Sequence, residues 1–229
     1  MKRYSIARIA TPALALGLAL GISAGARGAS FTALERTIEF TPPARFCVLG
    51  DSPRERTLFD QSESDISRHG ALMQMDVPCD ELPLFKAGKV FGFTRWIEVA
   101  VISQGGEFHL VSVPRDDFVR TAAGTLEGQV VDYDEINRRL KALQADGEIS
   151  LPASLQGMHS LGVANHALFI QSRTKVGRGK HAVALRGIGA VTTANDVPLI
   201  VQVYALSTAG RDDTLETAYA CVQALLDAN

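Results

Sequence analysis

Three groups of residues in this 229-residue chain have side chains suited to chemistry: a serine beside an acid, five scattered histidines and a run of cations. Ser52 follows Asp51 just after the apolar stretch Arg45–Leu49. A sharp turn there would lift the hydroxyl for nucleophilic attack, provided an imidazole stood ready to take its proton. The imidazoles on offer are His69, His109, His159, His166 and His181. A zinc site needs two ligands at short spacing on one face and a third elsewhere. The chain has no HxH, no HxxxH on a helix and no CxxC, and His159 and His166 would face opposite ways on a single strand. The histidines are therefore expected to be structural or surface residues. No metal and no other cofactor is expected.

The string Gly50-Asp51-Ser52 resembles the nucleophile block of the GDSL esterases and lipases, over three residues. That resemblance implies an Asp three residues before a late histidine, orienting the imidazole that deprotonates the serine. Here Arg178 precedes His181 at that spacing, Val163 precedes His166 and Gln156 precedes His159. A helix start accounts for every residue of the string: Ser52 as N-cap, Pro53 at the first helical position and Glu55 as reciprocal partner in a capping box. An exported hydrolase using Ser52, Asp51 and an unassigned histidine is the alternative.

The cations Arg173, Lys175, Arg178, Lys180 and Arg186 crowd around the Gly177–Gly179 turn. Such a positive tip suits an anionic surface, and Arg173, Lys175, Arg178 and Lys180 are the candidate contacts with anionic lipid, lipopolysaccharide or an acidic envelope protein. Gly-Arg-Gly-Lys is not a phosphate loop, because Thr174 and His181 stand where that motif needs Gly and Ser or Thr. The plainer reading is a charged hairpin that stays soluble and discourages edge pairing.

Lys2, Arg3 and Arg8 precede an apolar run from Ala13 to Ile22, and Ala24-Gly25-Ala26 offers the small residues that a signal peptidase reads. Residues 1–26 are expected to be a leader cut after Ala26, with Ala29 as the other cut site, leaving 27–229 as a single domain with no transmembrane segment. Cleavage after Ala26 leaves 20 basic residues against 25 acidic ones. A mildly acidic chain has no global attraction for nucleic acid. The expected location is periplasmic or secreted. In such an oxidising compartment two of the three cysteines should pair. Cys47 and Cys79 each border a short apolar run and are predicted to bridge, while Cys221 is expected to be a small buried side chain. Pairing of either early cysteine with Cys221 is the rival connectivity.

The elements that must position these residues are set by hydrophobic period. Strands are predicted at Thr37–Phe40, Arg45–Leu49, Ala71–Val77, Phe91–Ser103, Glu107–Val113 as a hairpin partner, Leu161–Ser172, His181–Ala194 and Val197–Ser207. Helices are predicted from Ser52 to about Arg68, over Pro114–Ala123, over Asp132–Ala145 and from Asp213 to the end. The strand Val197–Ser207 is apolar on both faces and needs cover on both. The last helix offers a stripe of Leu215, Ala218, Tyr219, Val222, Leu225 and Leu226, with Asp213 and Glu216 as its capping box. The class is α+β, with one mainly antiparallel sheet and helices on both faces, an α/β/α sandwich.

This order resembles the PsbP-like fold. The resemblance is carried by Pro198-Leu199-Ile200-Val201-Gln202-Val203-Tyr204, by the turn from Ser207 to Asp212 and by the closing helix to Leu226. It implies accessory, assembly or binding work in the cell envelope rather than catalysis. A small-molecule or lipid carrier, with a cleft between sheet and helix, is the other reading.

Overall fold

The computed structural model describes residues 29–67, 69–104, 106–128, 132–145, 153–177, 182–210 and 212–229. The leader with its cut site after Ala26, and Arg178, Lys180 and His181, lie outside the described residues. In chain order the strands are β1 (Ala29–Ala33), β2 (Arg36–Phe40), β3 (Phe46–Val48), β4 (Gly70–Pro78), β5 (Arg95–Ile102), β6 (Ala153–Ala164), β7 (Ala167–Val176), β8 (Val183–Ala194) and β9 (Val197–Leu206). The helices are α1 (Pro53–Ile66), α2 (Leu82–Lys86), α3 (Arg115–Glu127), α4 (Tyr133–Ala145) and α5 (Thr214–Ala228). Strands β3 to β9 form one seven-stranded antiparallel sheet in the order β3-β4-β5-β9-β8-β7-β6, and β1 and β2 form a separate hairpin. The protein is thus of the α+β class.

The sheet is two meanders joined at their last strands. Val99 of β5 faces Val201 of β9, and Ala190 of β8 faces the same Val201 from the other side. Two-residue turns make the later meander. Asn195 and Asp196, at φ 48° and 65°, link β8 to β9, while Asn165 and His166, at φ 46° and 57°, link β6 to β7. Positive φ at both central residues matches the twist of the flanking strands.

Alternation along β5 divides the interior. Ile97, Val99 and Val101 cluster with Val201 and Val203 of β9, with Ala218, Cys221, Val222 and Leu225 of α5, and with Ile38 and Phe40 of β2. Trp96, just before Ile97 in sequence and opposite in direction, packs with Met75 and Val77 of β4, Leu58 and Phe59 of α1 and Phe85 of α2. Asn229 fastens the β1–β2 hairpin to the end of α5: its amide donates to the Glu39 carbonyl at 2.8 Å and its Oδ1 accepts from the Glu39 N–H at 3.1 Å. Among the described residues no helix is long and apolar enough to cross a membrane.

Several expected elements differ. The segment Glu107–Val113 does not pair as a strand beyond a single bridge between Gln104 and Glu107. The reason is topological: β4 and β9 occupy both edges of β5 and leave no room for a hairpin partner. The segment crosses the β8–β9 turn instead, where the Val111 N–H donates to the Asp196 carbonyl at 2.8 Å. The expected strand Leu161–Ser172 is two strands, because Asn165-His166 folds back without the glycine that usually marks such a turn. β5 begins at Arg95, and Phe91, 94% exposed, lies in the preceding loop. β1 was outside the expected set. At α5 the expected Asp213–Glu216 box gives way to another arrangement: Arg95 holds the Asp213 carboxylate, and Asp212 accepts from the Thr214 hydroxyl at 2.7 Å.

The Cys47–Cys79 disulfide is present, with the two Cα atoms 5.0 Å apart. It ties the short edge strand β3 to the residue following β4 and closes a loop with a sequence separation of 32. Replacing both cysteines with serine should lower stability by about 3 kcal/mol, from loop entropy alone. Urea unfolding of parent and variant without reductant measures this, and equal midpoints would mean that the crosslink adds nothing beyond the packing.

Candidate functional site

Ser52 sits at the start of α1, as its neighbours require. Its hydroxyl donates to the Glu55 carboxylate, which also accepts the Gly50 N–H at 2.9 Å and the Ser52 N–H at 3.3 Å. Lys86 of α2 reaches the same carboxylate at 3.2 Å. Burial by itself would raise the Glu55 pKa, but the Ser52 hydroxyl, the Gly50 N–H and Lys86 together hold it below the ordinary carboxylate range. The hydroxyl serves a buried acid, and Asp51 pairs with Arg56 at 3.5 Å. His166 Nδ1 lies 2.6 Å from Asp116 and His109 Nε2 lies 3.2 Å from Glu107, each on the surface. Among the described residues no three His, Cys, Asp or Glu side chains are grouped to hold a metal ion.

The cations are brought together differently from a simple tip. Arg95, Ala205, Arg186, Arg173 and Gly157 are successive partners across β5, β9, β8, β7 and β6, so their side chains form one row on one face. Lys175 lies two residues beyond Arg173 on that same face. Arg95 donates to the Asp213 carboxylate and, at 2.9 Å, to the Ala209 carbonyl. Arg186 pairs with Asp212. Arg173 is exposed and has no carboxylate partner among the described residues. Together with Gln156, Leu206, Ser207 and Asp212, Arg173 and Arg186 line a depression of about 590 Å³ beside the start of α5. The two guanidinium groups of Arg173 and Arg186 face each other across neighbouring strands, with Asp212 offsetting the charge of Arg186. Their planar donor forks fit a carboxylate or phosphate. The row is invisible in sequence, since it depends on the register of five strands. The clustering of Arg173, Lys175 and Arg186 was its only trace.

Sequence reasoning also missed two buried acids. Asp76 is fully buried, and its Oδ1 accepts from the Gln74 amide at 2.8 Å. Its Oδ2 and the Gln74 Oε1 have no hydrogen-bond partner. Protonation of Asp76 removes a buried charge that only one hydrogen bond serves. Burial pushes its pKa up to about 7, against a smaller lowering by Gln74. Glu98 belongs to the opposite face of the sheet, since its partner is Met75, the residue before Asp76. It is 6% exposed and accepts from Trp96 Nε1 at 3.0 Å. Burial raises its pKa to about 7, with Trp96 and Ser62 opposing and Asp65 adding to the rise. Trp96 stacks on Tyr204 at 5.0 Å, and Tyr204 lies against Gly187, where a Cβ would meet its ring at 2.9 Å. The signal in sequence was a single acid in each of two largely apolar strands, beside Gln74 in one and Trp96 in the other.

The fold and this site define an α+β domain with a cationic depression at one end of its sheet. No protein-family model matches the chain, and no curated protein is similar to it. Among solved structures it is similar to LpqN, involved in cell envelope biogenesis of Mycobacterium tuberculosis, with 10% identity over 88% of each chain and a TM-score of 0.27. That likeness is too slight to support a statement about fold family or role.

Asp76 makes stability depend on pH in a defined direction. Its folded pKa lies above the unfolded value of 3.8. The stability this proton contributes is full below about pH 4 and is lost as pH rises towards about 7. Asp76→Asn should therefore match the parent near pH 4 and exceed it at pH 7.5 by about 3 kcal/mol. Thermal unfolding across that range reads the difference. An offset that does not vary with pH would mean that Asp76 does not bind its proton more tightly in the folded chain.

Proposed function

We propose that the protein is an exported, non-enzymatic binding domain of the cell envelope that engages an anionic partner through Arg173, Lys175 and Arg186, with Arg178 and Lys180 extending the contact. The observation that carries this reading is the Arg173–Arg186 pair, directly opposed across β7 and β8 at the mouth of the depression. Export rests on the basic and apolar leader and on the Cys47–Cys79 bridge, which is at home in an oxidising compartment. A cut after Ala26 leaves all of β1 in the mature single domain, whereas a cut after Ala29 removes its first residue.

The architecture within this proposal is an α/β/α sandwich of PsbP-like outline. Its support is the division of β5 between α5 on one side and α1 with α2 on the other. A binding role is favoured over hydrolysis because the Ser52 hydroxyl donates to Glu55 rather than to an imidazole. The carrier reading draws on the same depression, whose volume falls within the range of small-molecule sites.

Replacing Arg173, Lys175, Arg178 and Lys180 with serine should weaken retention on vesicles containing anionic phospholipid by about tenfold or more at low salt. Cosedimentation of both proteins with such vesicles and with neutral ones measures it, and unchanged retention would overturn the proposed contact. A fluorophosphonate probe should leave Ser52 unlabelled. Labelling that disappears in Ser52→Ala would replace this reading with the hydrolase.

A further inference from the structure

Among the described residues, β3 and β6 are the edge strands of the large sheet. β3 has three residues and is tethered by its disulfide. β6 has twelve, none of them Asp, Glu, Lys, Arg or Pro, so that of the features that ordinarily keep an edge from pairing it has only the register shifts at Leu155/Gly157 and Ser160/Gly162. Helix α4 lies along that edge. The Asn137 amide donates to the Leu155 carbonyl at 3.0 Å, and the Leu155 N–H donates to Asn137 Oδ1 at 2.7 Å. One turn earlier on the helix, the Tyr133 hydroxyl donates to the Met158 carbonyl at 2.8 Å and accepts the Met158 N–H at 3.0 Å. Two side chains thus stand where the backbone of a neighbouring strand would stand. None of the described side chains of α4 is fully buried, and β6 is the strand it packs on. Further along the edge, Leu161 and Val163 are 41% and 53% exposed.

We propose that β6 is a strand-pairing edge closed by α4, and that its occupant is β6 of a second copy of this chain. Antiparallel pairing of two identical edges is satisfied by a two-fold axis and leaves no open end. β6 brings no like charges face to face in such a pair. When α4 lifts away, the backbone groups of Leu155 and Met158 exchange side-chain partners for main-chain ones. The sheet then continues from one copy into the other. Gln156 of β6 also lines the cationic depression, but the pairing proposed here uses the outward backbone groups of β6 and stands whether or not the anionic contact is real.

The double variant Tyr133→Phe with Asn137→Leu removes all four bonds and leaves the helix its apolar bodies. Sedimentation velocity over a concentration series should show the variant dimerising at a concentration about tenfold or more below that of the parent. Hydrogen exchange should find the Leu155 and Met158 amides fast in dilute variant and protected as concentration rises. Adding Leu161→Lys should return the variant to monomer. A variant that stays monomeric with those amides fast at every concentration overturns the proposal, as does association that survives Leu161→Lys. If the variant does not fold, the parent decides: Leu155 and Met158 amides that exchange only at the rate of global unfolding mean that α4 does not open separately, and the proposal fails.

Discussion

The pairing of β5 with β9 holds the molecule together. On one side of it lies the meander β3-β4-β5 and on the other β6-β7-β8-β9, and no other strand contact joins them. Val101 faces Leu199 and Arg95 faces Ala205, so strands nearly a hundred residues apart must find a single register. A slip of one residue would turn Ile97, Val99 and Val101 away from α5 and deliver Glu98 to the core beneath it. Long-range closure of this kind is slow and entropically costly. The apolar character of β9 on both faces makes the closed arrangement the favourable one, because it buries Val197, Leu199, Val201 and Val203.

Around that junction, polar groups are used with different degrees of satisfaction. Glu55 is almost wholly buried yet fully served by Gly50, Ser52 and Lys86, and it binds the start of α1 to α2. Asp76 and Gln74 are buried with one acceptor each unserved, so the folded chain favours the protonated acid. Glu98, also buried, has Trp96 and Ser62 to satisfy it and a second acid, Asp65, nearby. The sheet therefore carries a protonatable acid on each face, close to its central pair of strands.

Where a signal was local, the sequence disclosed the structure. Ser52-Pro53-Arg54-Glu55 specified the beginning of α1, the two-sided apolar pattern specified β9, and the stripe of Ala218, Val222 and Leu225 specified the buried face of α5. The Cys47–Cys79 bridge followed from two cysteines beside neighbouring strands. Where the outcome depended on competition among distant strands, it did not. The apolar alternation of Glu107–Val113 is real, yet β4 and β9 had already filled the places beside β5. Asn165-His166 turns the chain without a glycine. The arginine row needs Arg95, Arg186 and Arg173 to share a register that no single segment encodes, and the buried acids read as ordinary polar positions of alternating strands.

One consequence concerns how the bridge is made. The third thiol, Cys221, is fully buried on the inner face of α5, and burial together with the nearby Asp76 pushes its pKa far above the usual range for cysteine. Thiol exchange requires an accessible thiolate. Once the chain has collapsed, Cys221 can neither attack the bond between Cys47 and Cys79 nor take either sulfur for itself. In the folded chain, shuffling of the Cys47–Cys79 bond by the third thiol is shut off.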